Sequence, residues 1–139
     1  MILLDTNVIS ELRRPVTRRD PAFNTWAVST NLADAYLSTI TVMELRIGVA
    51  RKQRTDPVQG QILASWLART TAQYTGRILP VTIPIAAAAA PFHVPDPRNV
   101  ADSLIAATAQ VHNLVLATRN ESDFVGCPIT IVNPWTSPD

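Results

Sequence analysis

Short unbroken apolar runs, rather than strict alternation, mark the strands of this chain. Met1-Ile-Leu-Leu4 runs straight into Asp5, Leu114-Val-Leu-Ala117 repeats the pattern late in the chain, and Ala35–Ile40 and Ile129–Val132 are predicted strands between turn signals. A run of this length without a polar face is what a strand buried on both sides of a parallel sheet requires. Arg77–Thr82 is a fifth strand, which Pro80 places at an edge. Between these runs the period changes to that of a helix. A short helix over about 7–13 is ended by Pro15, and Asp20-Pro21 opens another that reaches about Ser29 and buries Phe23, Trp26 and Ala27. Asn31–Ala33 is a turn. A helix from Thr41 to about Lys52 turns Val42, Leu45 and Val49 inward, and Asp56-Pro57 starts a longer one to about Tyr74 with Ile62, Leu63, Trp66, Leu67 and Thr70 on its inner face. These two are expected to pack as an antiparallel pair, ended by Gly76.

Pro84 opens a helix through the alanine run that Pro91 cuts to about two turns, because proline lacks the amide donor and clashes with the preceding turn. His93–Arg98 is predicted loop. Helix resumes over Asn99–His112, with Ala101, Leu104, Ile105, Thr108 and Val111 inward. Asn120–Phe124 is a short helix or turn, and the tail from Asn133 docks through Trp135. Strands alternating with helices predict an α/β domain whose mostly parallel sheet is covered on both faces.

Composition narrows the class. A chain of 139 residues is expected to form one domain, 1–139, and 47% hydrophobic against 17% charged residues excludes wholesale disorder. The single Cys127 excludes an internal disulfide and a zinc knuckle, which suits a reducing cytosol. Asp5 breaks the only apolar N-terminal run after four residues, so neither signal peptide nor membrane span is predicted and the mature chain is expected to start at Met1. Net charge is +1, but eight of the twelve basic residues fall between Arg13 and Arg54, and only Lys52 is a lysine. That arginine-rich half reads either as a phosphate-binding surface or as solvated helix faces.

The candidate chemistry lies in carboxylates. Asp5 ends the first strand, the edge at which open α/β sheets bind ligands, although Asp there also caps a following helix. Thr41-x-x-Glu44, Asn99-x-x-Asp102 and Asn120-x-x-Asp123 each match a capping box, in which the acid reaches back to the cap residue. In a parallel sheet all four acids project at one C-terminal edge, where close pairs repel by up to ~4 kcal/mol each at an effective dielectric near 20. An oxygen-only set without His or Cys favours a hard cation, Mg2+ or Mn2+, able to polarise a phosphoryl oxygen and help ionise water. His93 and His112 read as structural. With only Gly48, Gly60, Gly76 and Gly126 there is no glycine-rich phosphate loop.

Five motifs occur in order: Leu4-Asp-Thr-Asn-Val-Ile-Ser-Glu11, Thr41-x-x-Glu44, Asp102-x-Leu-Ile-Ala-Ala-Thr-Ala109, Thr118-Arg-Asn-x-x-Asp-Phe124 and Asn133-Pro-Trp135. Together they resemble the PIN-domain ribonucleases, and among them the VapC toxins of type II toxin–antitoxin modules, close to the FitB-like branch. The resemblance implies a three-layer α/β/α sandwich with a central parallel sheet, and a Mg2+- or Mn2+-dependent endoribonuclease of the prokaryotic cytoplasm. It also implies a homodimer, or a toxin–antitoxin hetero-oligomer, neutralised by a VapB-type antitoxin. Carried over, Asp5, Glu44 and Asp102 match the three central acids and Asp123 the more variable fourth, all expected to hold metal and act in catalysis, while Asn7, Thr118 and Asn120 match polar residues that orient acids or waters. Pro84–Arg98 departs from the pattern, since relatives often carry a longer charged helix there. A receiver domain or a haloacid-dehalogenase phosphatase would need a lysine late in the chain, and the phosphatase would want Asp at position 7, where this chain has Asn7. A non-catalytic RNA- or protein-binding module on the same scaffold is the alternative, distinguished by absence of RNA cleavage that EDTA stops.

Overall fold

A computed structural model describes residues 1–136. Five short strands form one parallel sheet: β1 (Ile2–Leu4), β2 (Leu37–Ser38), β3 (Ile78–Leu79), β4 (Val115–Ala117) and β5 (Ile131–Val132). β1 pairs with β4 and β4 with β5, β2 pairs with β3, and a parallel bridge between Leu3 and Tyr36 joins the two groups into the order β3-β2-β1-β4-β5. The chain leaves β1 toward one edge and returns to β4 on the other side. The sheet's switch point therefore lies between β1 and β4, where open α/β sheets form ligand crevices.

Six α-helices cover the sheet: α1 (Thr6–Arg13), α2 (Pro21–Ser29), α3 (Thr39–Thr55), α4 (Pro57–Gln73), α5 (Ile83–Ala89) and α6 (Val100–His112). The alternation of strand side chains decides what each face meets. Leu4 and Ala117 pack with Val8, Ile9, Phe23, Leu45, Val49 and Leu67, from α1 to α4. Leu3 and Leu116 pack with Ile105, Ala106, Ala109 and Phe124 on the other side. α5 then covers α6 from outside through Ile85, Ala89 and Ala107. The expected α/β/α sandwich is thus the architecture of the protein.

Several local expectations shift. β2 ends at Ser38, whose Oγ accepts the amide of Ile40 at 3.0 Å, so α3 begins at Thr39 rather than Thr41. Helix α3 runs on to Thr55, and Asp56 caps α4 at once. Ile62 is 51% exposed instead of inward. The reason is Gly60: a Cβ there would lie 2.5 Å from Gln53 Cα, so α4 approaches α3 along the Gly60, Leu63, Leu67 line and turns Ile62 away. Val111 is 42% exposed because the covering of α6 stops near Ala109. Pro91 does end α5, and the chain tightens into a 3-10 turn over Ala90–His93.

Candidate active site

Asp5 stands on the first residue beyond β1, and its amide donates to Ala117 O at 3.0 Å, which sets it beside Thr118 at the end of β4. The residue is 5% exposed, and both carboxylate oxygens accept hydrogen bonds. Oδ1 accepts the Thr6 amide at 2.8 Å, the helix-cap bond the sequence allowed. Oδ2 accepts the Thr118 hydroxyl at 2.8 Å and the Asn7 amide group at 3.2 Å. Asn7 Oδ1 in turn accepts the Arg119 amide at 3.1 Å, and Thr118 Oγ1 accepts the Asn120 amide at 3.1 Å. Capping and site-building are therefore the same set of bonds. Burial raises the Asp5 pKa above the usual carboxylate value, the bonds from Thr118, Thr6 and Asn7 oppose that rise, and the charge of Asp123 adds to it.

Glu44 arrives differently. With Ser38 as the cap of α3, Thr41 lies inside the helix and the capping box expected at Thr41-x-x-Glu44 does not form. The Thr41 side chain is fully buried in the core, and Glu44 Oε1 accepts the Thr6 hydroxyl at 2.8 Å. Thr6 thus spans two acids, through its amide to Asp5 and its hydroxyl to Glu44.

Asp102 sits in the first turn of α6, where Asn99 caps the helix by accepting the Asp102 amide at 3.0 Å. The Asn99 half of that capping box exists. The Asp102 carboxyl is pushed up to about 6 by burial first, then by the charges of Asp123, Asp5 and Glu44, with Arg98 pulling the other way. Asp123 lies exposed on a 3-10 turn over Glu121–Phe124, whose cap residue Asn120 makes no side-chain capping bond.

Asp5, Asn7, Glu44, Asp102 and Asn120 line one cleft of about 590 Å³, together with Thr6, Ser10, Glu11, Arg13, Arg14, Arg119 and Trp135. Thr118 lies just beneath it through its bond to Asp5, and Asp123 acts on Asp5 and Asp102 by charge. Among the described residues no arginine forms an ion pair with these four acids: Arg14 pairs with Glu11 at 3.1 Å, Arg119 lies 5.3 Å from the Trp135 ring centre and Arg13 5.7 Å from that of Trp66, while Arg98 acts on Asp102 only through its charge. Among the described residues, no three acidic, His or Cys side chains gather closely enough to ligate one ion directly. The donor chemistry fits a hard cation that keeps much of its water and takes one or two carboxylates, as Mg2+ does.

Glu11 was not singled out from the sequence. It is 6% exposed, held by Arg14 on one oxygen and by the Trp135 indole N–H on the other at 3.0 Å. Trp135 also packs on Phe23 with ring centres 4.9 Å apart, so the expected docking of the tail is real. Both residues stand in noticed motifs, but 124 positions separate them and nothing in either motif announces their pairing.

A profile of the PIN domain matches residues 2–125. The chain belongs to the PIN domain family. Toxin FitB of Neisseria gonorrhoeae is 39% identical over 97% of this chain and 99% of its own length. The VapC ribonuclease Y4jK of Sinorhizobium fredii is 35% identical over 97% of this chain and 98% of its own. Among solved structures, that of FitAB bound to an IR36 DNA fragment superposes with a TM-score of 0.86 at 36% identity, covering 100% of this chain and 99% of the other. No helix among the described residues of this PIN domain is long and apolar enough to cross a membrane.

Proposed function

We propose that this PIN domain is the toxin of a type II toxin–antitoxin module: a divalent-metal-dependent endoribonuclease acting in the prokaryotic cytoplasm and neutralised by a VapB-type antitoxin. The observation that carries the reading is the cleft that Asp5, Glu44 and Asp102 line together with no ion pair to any of them among the described residues, while Asp123 adds its charge. A stable protein keeps such repulsion only where something positive joins it in use. The similarity to Toxin FitB and to a VapC ribonuclease supports both the toxin role and the chemistry.

Asp5, Glu44 and Asp102 would hold Mg2+ or Mn2+ with at most two of them as direct ligands and the rest through water, Asp123 assisting. When bound, the ion supplies Lewis-acid stabilisation of a phosphoryl oxygen and lowers the pKa of water. The protein's own residues set the stage for that chemistry. Thr118 and Asn7 fix the orientation of the Asp5 carboxylate through their bonds to Oδ2. Thr6 fixes Glu44 relative to Asp5. Arg13, Arg14 and Arg119 line the same cleft, where guanidinium groups suit the phosphates flanking the scissile bond. In-line attack by water then leaves a 5′-phosphate and a 3′-hydroxyl. The likeness to FitAB supports assembly with an antitoxin in a hetero-oligomer; a homodimer of the toxin is the other expected assembly.

The test is cleavage of total RNA by the purified protein with Mg2+ or Mn2+. EDTA is expected to stop it, and Asp5→Asn to lower it at least about 10²-fold with an unchanged circular-dichroism spectrum. Cleavage that survives both EDTA and Asp5→Asn overturns the reading.

A further inference from the structure

Asp123 is the least supported of the four acids. It is exposed, and its turn is fixed by its backbone, with the Asp123 amide donating to Asn120 O at 3.1 Å. Asn133 Nδ2 donates to Glu121 Oε2 at 3.0 Å at the start of that turn, and Arg98 reaches its Asp123 end from elsewhere in the chain. Arg98 ends the proline-rich segment, directly before the cap residue of α6. Its Nε donates to Phe92 O at 2.9 Å, which folds the segment back on itself. Its Nη1 donates to Asp123 O and lies against Cys127 Sγ, both at 3.3 Å, and its Nη2 donates to Val125 O at 2.8 Å. Gly126, at φ +84°, bends the chain beneath the guanidinium, the left-handed conformation that glycine adopts without strain and that lets Val125 O and Cys127 Sγ face one cation. Arg98 is thus covalently next to the start of α6, which carries Asp102, and clamped by hydrogen bonds to the turn that carries Asp123.

We propose that Arg98 is a positioning residue: by bracing the Asp123 turn against the entrance of α6 it sets Asp123 at its working distance from Asp102. This rests on the ribonuclease reading above. Only a guanidinium does the job, because its donors leave in a fixed planar fork and meet three separate carbonyls, whereas a lysine is a single flexible point charge. An error of about 1 Å in a group at the reacting centre costs on the order of 10²-fold in rate, so loss of the brace is felt in turnover more than in substrate affinity.

The test is a double-mutant cycle of Arg98→Met with Asp123→Asn, alongside Arg98→Lys, all confirmed folded by circular dichroism. The expected result is a kcat about tenfold lower in Arg98→Met with KM nearly unchanged, a comparable loss in Arg98→Lys, and no further loss when Arg98→Met is added to Asp123→Asn. The same cycle is read without activity as the thermal-shift response to Mn2+, where Arg98→Met is expected to weaken the response only while Asp123 is present. Equal losses in both backgrounds would assign Arg98 a general structural role, and full rescue by lysine a purely electrostatic one; either overturns the proposal. If the wild-type protein cleaves no RNA, the ribonuclease reading fails, and the Mn2+ cycle alone decides for or against Arg98. A wild type without any Mn2+ response also counts against it.

Discussion

The two halves of the acidic cleft are built on opposite principles. On the β1 side, Asp5 is buried and each of its oxygens is held by hydrogen bonds from Thr6, Thr118 and Asn7. On the α6 side, the Asp102 carboxyl accepts no such set of bonds among the described residues and is pushed up to about 6, by burial first and then by the charges of Asp123, Asp5 and Glu44. A carboxylate with hydrogen bonds is positioned before any ligand arrives. One set among like charges is left in tension that a bound cation relieves. On the proposed reading, one half of the site is fixed by the sheet and the other would be relieved by the bound cation.

Thr118→Val attacks the fixed half. Asp5 Oδ2 would lose its 2.8 Å donor, and a bond to a charged group contributes roughly 1.5–3 kcal/mol. Turnover is expected to fall about tenfold or more, with the Asp5 pKa moving further up because burial is then opposed only by the bonds from Thr6 and Asn7. Steady-state kinetics over a pH series would show both; unchanged kinetics would mean that the two halves do not differ as described.

The tense half is probed by pH. In the metal-free protein Asp102 binds its proton up to about pH 6, whereas the unfolded chain releases it near 3.8. Between those values the native state carries more protons than the unfolded one, so stability falls as pH rises through the window and is greatest below it. The raised Asp5 acts in the same direction. Thermal melts in EDTA are expected to decline from pH 4 to pH 6.5, with saturating Mg2+ flattening the decline. A melting temperature that rises across this range in EDTA would remove the charge tension from the account.

Trp135→Phe gives the smallest effect. It keeps the packing on Phe23 and removes only the indole donor to Glu11, leaving Arg14 on the other oxygen. A loss of about 1–2 kcal/mol in urea unfolding is expected, with little change in turnover. A large fall in turnover would place the tail in the chemistry rather than beside it.

Much of this was legible in order along the chain. The unbroken run ending at Asp5 announced a doubly covered central strand, and Asp20-Pro21 and Asp56-Pro57 marked two helix starts correctly, because capping and proline geometry are decided within four residues. The start of α3 was misplaced because Ser38 and Thr41 offer nearly the same local chemistry, and only the length of β2 chooses between them. Ile62 was misassigned because the helical period says that a stripe exists but not which neighbour it meets; Gly60 against Gln53 settled that. The candidate acids were legible as a group at one sheet edge, but the bonds that hold each of them were not.

What the sequence determined by itself is therefore the set of elements and the chemical identity of the site: apolar runs that form a parallel sheet, and oxygen donors at its C-terminal edge. Tertiary structure decided how those donors are held. Thr6 bridging Asp5 to Glu44, Trp135 closing on Glu11, and Arg98 bracing the Asp123 turn all join residues 25 to 124 positions apart, or depend on one that does. Hydrogen bonds of that kind follow from where the packed sheet and helices bring side chains within about 3 Å, and local sequence carries no record of that distance.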